Sequence, residues 1–344
     1  AICKLFTSLM EDYFDFKFNI DPVQPASLAK NDSESKRRRS KQEDNEDTEH
    51  FLAVGGEIED NYVDLARFVD NILLRCVCNR LKPSRTGATS GGQNLRRISQ
   101  LLVNCGALAH GCDYFESCAY HLVEAAYPSR PPPSTKVTLR AKAHFEALKM
   151  QYNAILLEGL STEIDQLLDL SSVDWRATKL DAQPWHAFED LVTLLEGRFQ
   201  SLAFLPTGLR EGAHLHAFNH VSLAIRMHWR SELRALTVVG LANFGRSLSV
   251  VEDFARRHSS IPGVLEALED LRQITDLILT EPRIVEVGDR KYREHKYGRV
   301  KPDLLCDVLG KYQGLGMFTR VPAGLPKHSH RDVELAMKMI REGM

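Results

Sequence analysis

The chain has 344 residues, enough for two or three domains of ordinary size. Its formal net charge of −2, from 44 Lys and Arg against 46 Asp and Glu, excludes a protein dominated by nucleic-acid binding and leaves room only for a local basic site. Seven cysteines, an odd number without the spacing of a small disulfide framework, predict reduced thiols in a cytosolic setting.

No apolar run approaches the ~20 residues of a membrane span, and no secretory signal pattern is visible. The chain begins Ala-Ile-Cys inside an already periodic apolar segment, which predicts a piece of a longer protein. From Lys30 to His50 there is no apolar residue. Such a stretch buries too little surface to offset its ordering entropy, so a disordered insertion over 30–50 is predicted. Its KRRRS run has the composition of a nuclear-import or kinase motif, and equally of a solvated charge block.

Beyond it the apolar period is helical almost everywhere. Tyr62, Leu65, Val69, Ile72 and Cys76 recur at steps of three and four. So do Leu95, Ile98, Leu102 and Cys105, then Cys112, Phe115, Ala119 and Leu122. The clearest stripe is Phe145, Leu148, Tyr152, Leu156, Leu160 and Ile164. Breaks fall at Lys82–Asn94, Pro128–Lys136, Pro206–Gly212 and the PAGLPKHSH run ending at His330. Ser260 and Pro262 are start signals for a helix carrying Leu265, Leu268, Leu271, Ile274 and Ile278. Ile284, Val285 and Val287 give the single hint of a strand. The expectation is an all-α protein of about ten helices with antiparallel neighbours, divided into a bundle over 1–160 and a second over 161–344.

Several clusters bear on chemistry. Cys76, Cys78, Cys105, His110, Cys112, Cys118 and His121 contain enough ligands for zinc. Cys76, Cys105 and Cys112 lie on the apolar stripes, however, where a thiol behaves as a small hydrophobe. His216 and His220 share a helix face as a metal pair does, with His214 nearby, but no Glu flanks the first of them and no third ligand is indicated. GKYQGLG (Gly310–Gly316) lacks the Lys-Ser/Thr of a phosphate loop, and there is no Gly-x-Ser-x-Gly elbow. No enzyme is predicted, and neither a cofactor nor a metal. Trp175, after the polar turn DLSSVDW, reads either as an exposed anchor for a partner or as a core residue closing a helix corner.

Five ordered stretches carry a resemblance: STEIDQLLDLSSVDW (Ser161–Trp175), FEDLVTLLEGRFQSLAFLP (Phe188–Pro206), FNHVSLAI (Phe218–Ile225), DLRQITDLI (Asp270–Ile278) and KYGRVKPDLLCDVLGKY (Lys296–Tyr312). Their combination resembles the C-terminal half of the Rab-binding Sec subunit of the exocyst, the fifteenth Sec protein. The resemblance implies a rod of stacked helical bundles without catalysis. It further implies binding of the GTP form of a secretory Rab GTPase, docking with other exocyst subunits, and vesicle tethering at the plasma membrane. The localisation implied is cytoplasmic, peripheral at vesicles and plasma-membrane sites of exocytosis. Where the family often has Phe-Asn-x-Asp, this chain has Phe244-Gly245-Arg246-Ser247. The helix Leu236–Phe254 is the expected partner surface, with Asn243, Phe244, Gly245, Ser247 and Val251 as its contact residues, against an ordinary bundle helix with Phe244 in the core.

Finally, Asp289–Leu305 (DRKYREHKYGRVKPDLL) interleaves cations with two tyrosines. Arg290, Lys291, Arg293, Lys296 and Arg299 form a candidate basic edge for a membrane or partner, and the alternative function is a nucleic-acid or acidic-lipid binder using 290–301. The structural reading is a connector: Tyr297, Val300, Leu304 and Leu305 fold back on the bundle, the Lys and Arg heads stay solvated, and Pro302 opens the next helix.

Overall fold

The structure, a computed structural model, describes residues 59–81, 92–126, 136–259, 261–313 and 322–343. The predicted 30–50 insertion and the end of the GKYQGLG run, 314–316, lie outside the described residues. Ten helices are seen among the described residues: α1 over 59–81, α2 Gly92–Ala126, α3 Arg140–Leu167, α4 His186–Ser201, α5 Thr207–Met227, α6 Val238–His258, α7 Pro262–Thr280, α8 Arg290–Lys296, α9 Pro302–Leu309 and α10 His330–Glu342. The all-α expectation is met. The one extended pairing among these residues is a parallel bridge between Leu236 and Tyr312. The strand hint at Ile284–Val287 is corrected: Ile284–Gly288 is a 3₁₀ turn that buries Ile284 and Val287 at its two ends.

Contacts divide the chain into two compact units, Ala1–Gly87 with Leu101–Tyr152, and Ala88–Gln100 with Asn153–Met344. In the first, α1 buries Tyr62, Leu65, Val69 and Leu73. The predicted stripe goes on to Ile72 and Cys76, but the chain winds as a π-helix over Leu73–Cys78. The wider turn adds a residue per repeat, so Cys78 is buried and Cys76 is exposed. The start of α3 is held by acids from two other helices. Asp70 accepts from Ala141 N at 2.8 Å and Arg140 Nε at 2.9 Å, and Glu116 accepts from Leu139 N at 2.8 Å. Carboxylates at a helix N-terminus satisfy donors that have no intrahelical acceptor and oppose the positive end of its dipole.

The second unit has an aromatic centre. Phe244 of α6 lies 5.4 Å from the Trp175 ring, 5.1 Å from Trp229, 5.8 Å from Phe188 and 6.2 Å from Trp185. Around it α4 packs on α6, α6 on α7, and α5 on α7. Side-chain caps start three helices: Thr237 for α6, Asp289 for α8 and Ser329 for α10, each worth about 1 kcal/mol. Pro302 opens α9 as predicted. The break expected over Pro206–Gly212 is shorter. Pro206 is the N-cap of α5, where its missing N–H is not needed, and Gly208 and Gly212 lie inside the helix.

Candidate partner interface

The α6 residues expected to touch a partner face inward. Phe244, Ser247 and Val251 are 0 % exposed, and Asn243 and Gly245 are buried too. A side chain so enclosed makes no contact with a protein docking on the surface. The polar pair instead clamps the loop before α4. Asn243 Oδ1 accepts from Asp181 N at 3.0 Å, its Nδ2 donates to Lys179 O at 3.3 Å, and Ser247 Oγ accepts from Trp185 N at 2.9 Å. Trp175 is likewise in the core, 5 % exposed, with its indole N–H donating to Leu170 O at 2.9 Å.

Two α6 glycines are dictated by close approach. A Cβ on Gly240 would stand 2.1 Å from Trp175 O, and one on Gly245 would stand 3.1 Å from Thr275 Cγ2. The Gly245 approach lets α7 send Arg272 across. Its guanidinium forks onto Glu252, at 2.9 and 2.7 Å, and also donates to Gly245 O and Ser249 Oγ. The departure of this chain from the family's Phe-Asn-x-Asp pattern therefore falls at a packed helix crossing.

The basic stretch is neutralised in part by its own fold. Arg290 pairs with Glu294 at 2.8 Å and Arg299 with Glu266 at 3.5 Å. Lys296 pairs with Glu281, whose 1 % exposed carboxylate also accepts from Tyr292 OH at 2.9 Å and Tyr297 OH at 2.5 Å. Burial pushes the Glu281 carboxyl up, but the hydrogen bonds from Lys296, Tyr297 and Tyr292 outweigh it and hold it below the usual carboxylate range. The same contact with Glu281 raises the Lys296 ammonium. Tyr297, Val300, Leu304 and Leu305 are buried as the connector reading predicts. Not every cationic head is solvated, however. Arg293 is 3 % exposed and donates to Val287 O at 3.0 Å. Lys291 remains exposed.

This segment forms one wall of a cleft of about 630 Å³ with α5 and α7, lined among others by Arg226, Asp270, Arg293, Arg299 and Lys301. The sequence reading missed the cleft because its walls come from stretches distant in the chain, α5, α7 and the α8–connector segment. It also missed an exposed apolar pair on α5, Leu223 and Met227, at 49 % and 53 % exposure. They sit opposite the buried Phe218, Val221 and Ile225, and the signal for them was that α5 is apolar on more than one side.

The inward-facing thiols and imidazoles are occupied by packing. Cys105 and Cys112 are buried, and burial with the nearby Glu116 pushes the Cys112 thiol up to about 12. Among the described residues no three His, Cys, Asp or Glu side chains converge as metal ligands would. His216 and His220 do share a face, their rings stacked at 6.3 Å, but each is engaged by α3: His216 with Ser161 Oγ at 2.9 Å and His220 with Asp165 at 2.7 Å. His214 lies against Phe199 with ring centroids 3.7 Å apart, and its buried Nε2 has no hydrogen-bond partner among the described residues. Burial, with Arg210 and His258 close by, depresses its pKa to about 4.

Among the described residues no helix is long and apolar enough to cross a membrane. The fold is similar to that of a Myo2-GTD chain solved in complex with Inp2, with a TM-score of 0.52 at 12 % identity over 85 % of this chain and 71 % of that one. It is also similar to a Myo2-GTD chain in complex with Smy1, with a TM-score of 0.50 at 14 % identity over 82 % and 67 %. In sequence the chain is 22 % identical over 294 residues to Exocyst complex component 6 of Homo sapiens, covering 81 % of this chain and 35 % of that protein. It is 24 % identical over 223 residues to Exocyst complex component 6 of Caenorhabditis elegans, covering 62 % and 27 %. The chain thus spans about a third of the length of the curated relatives it matches. Residues 53–311 match the family described as Exocyst complex subunit Sec15 C-terminal. That match takes in the Phe244 aromatic centre, the Arg272–Glu252 crossing and the Glu281 clamp, and with it the chain belongs to the Sec15 C-terminal family of exocyst subunits.

Proposed function

We propose that this chain is the C-terminal part of an exocyst subunit that binds the GTP form of a secretory Rab GTPase. With other exocyst subunits it helps hold exocytic vesicles at the plasma membrane before fusion, acting from the cytoplasm as a binding protein rather than an enzyme. The observation that carries this reading is the family match over residues 53–311, which spans all the helices from α1 to α9. The packing is consistent with it. The polar clusters that suggested chemistry are engaged in holding helices together, as His216 is by Ser161 and His220 by Asp165.

We assign the GTPase to the exposed face of α5. Leu223 and Met227 stand one turn apart there, with Arg230 beyond them as a polar rim. Apolar anchors rimmed by polar groups are how helical surfaces recognise partners. The buried residues Asn243, Phe244, Gly245, Ser247 and Val251 act from beneath, by fixing α6 in the bundle that supports α5. The test is retention of a secretory Rab GTPase on the immobilised chain. Loaded with a non-hydrolysable GTP analogue, it should bind at least about tenfold tighter than with GDP, a difference of ~1.4 kcal/mol. Equal retention of the two forms, or none with any secretory Rab, rejects the reading.

A further inference from the structure

The cleft bounded by α5, α7, α8 and the Tyr297–Pro302 connector contains five cations and three carboxylates. The carboxylates are each committed. Asp270 accepts from Arg226 at 3.0 Å, Glu294 from Arg290 at 2.8 Å and Glu266 from Arg299 at 3.5 Å. Two cations are left over. Arg293, at 3 % exposure, has one backbone acceptor, Val287 O, and no carboxylate within ion-pair distance among the described residues. Lys301 is exposed at the rim and makes no ion pair among the described residues. A buried guanidinium without a counter-charge is costly, and an anion in the cleft would relieve that cost. Lys301 is also the N-cap of α9, which has no capping side chain. The first-turn N–H groups of α9 and its positive dipole end therefore lie beside the same rim.

We propose that this cleft binds a polyphosphorylated head group, with Arg293 at its floor, Lys301 at its rim, and Arg226 and Arg299 swinging from their carboxylates to complete the cage. A volume of about 630 Å³ lies within the ~300–1,000 Å³ of small-molecule sites and accommodates a ring bearing several phosphates. Guanidinium forks match phosphate oxygens in pairs. The interspersed carboxylates disfavour an extended polyanion lying along the surface, so nucleic acid is a poor occupant and a compact head group a good one. None of the residues assigned to the GTPase, Leu223, Met227 and Arg230, lines this cleft.

The probe is inositol 1,4,5-trisphosphate, titrated by calorimetry into the full 344-residue chain at low salt. In parallel, the chain is floated with phosphatidylcholine vesicles with and without phosphatidylinositol 4,5-bisphosphate. Saturable binding of the free head group together with lipid-dependent flotation assigns a membrane lipid, and binding of the free form alone assigns a soluble phosphate. Lys301→Glu, at an exposed position, should weaken binding about tenfold. Glu294→Gln should tighten it severalfold by releasing Arg290. Arg293→Met should weaken it more than Lys301→Glu does, with circular dichroism as the control for folding. Should that variant fail to fold, the Lys301 and Glu294 variants decide the matter. Absence of saturable binding to both probes, or binding that neither surface variant changes, overturns the proposal.

Discussion

The α carbon of Gly240 faces the carbonyl oxygen of Trp175 so closely that a methyl group there would stand 2.1 Å from it. The first turn of α6 is thereby seated on the backbone of the loop it organises, and Thr237 ties the two together by donating to Ala177 O at 2.7 Å. Backbone cannot swing aside as a side chain can. Gly240→Ala is therefore expected to destabilise the second unit by at least about 2–3 kcal/mol, toward the upper end of overpacking costs. Urea unfolding measures it, and a midpoint equal to that of the parent would refute the close approach.

Burial and binding separate cleanly on this molecule. Phe244→Ala empties the centre of an aromatic cluster and should cost about 3–5 kcal/mol. Any loss of GTPase retention should then track the unfolded fraction and recover on cooling. The pair Leu223→Ala and Met227→Ala should leave the melting temperature nearly unchanged, since both side chains are half exposed, yet abolish retention. Retention that survives the double change would move the GTPase away from α5.

His214 gives the second unit a pH dependence with a defined sign. Its folded pKa is depressed to about 4, below the ~6.5 of an unfolded histidine. The unfolded chain therefore takes up a proton first as pH falls. Stability is fully present above pH ~6.5 and is lost progressively down to pH ~4, by roughly 3 kcal/mol from this residue. His216, depressed by burial and then by His220, adds in the same direction. Chemical unfolding at pH 7.5 and 5 should show the loss, and His214→Leu should reduce it. A slope unaffected by that change would place the proton uptake elsewhere.

Glu281 is the shared acceptor for three donors from α8 and the residue that follows it. Glu281→Ala leaves the buried Tyr297 hydroxyl and that of Tyr292 without their carboxylate acceptor, while Lys296 is free to hydrate, and should destabilise by about 1–3 kcal/mol, the cost of an unsatisfied buried polar group. Glu281→Gln keeps an acceptor and should cost less. Amide exchange over 290–300 should accelerate most in the alanine variant. Unchanged protection there would show that the connector is held by its apolar residues alone.

The helices could be read from the chain because their apolar steps of three and four survive as buried faces, as with Phe145, Leu148, Tyr152 and Leu156. Pro302 was legible as a helix start because its constraint is local. What could not be read depends on residues far apart or on a change of winding. The π turn at Leu73–Cys78 moves Cys76 outward, and no local pattern announces it. Asn243 and Ser247 looked like surface polar residues on a helix, yet their acceptors and donors are spent on loop backbone some sixty residues earlier, at Lys179, Asp181 and Trp185. The basic strip looked only partly compensated, by Asp289 and Glu294 within it, because Glu281 and Glu266 lie outside it.

The two contacts between α3 and α5 have the same spacing on both helices, Ser161 and Asp165 against His216 and His220. A parallel pair of helices could otherwise slide by one turn with little change in apolar contact. Here a slip in one direction would set His220 against Ser161, and in the other His216 against Asp165. Either move breaks both of these pairings, makes one new pairing and leaves the other two polar groups without a protein partner. The alternation of hydroxyl and carboxylate thus works as a vernier that favours one register of α5 against α3.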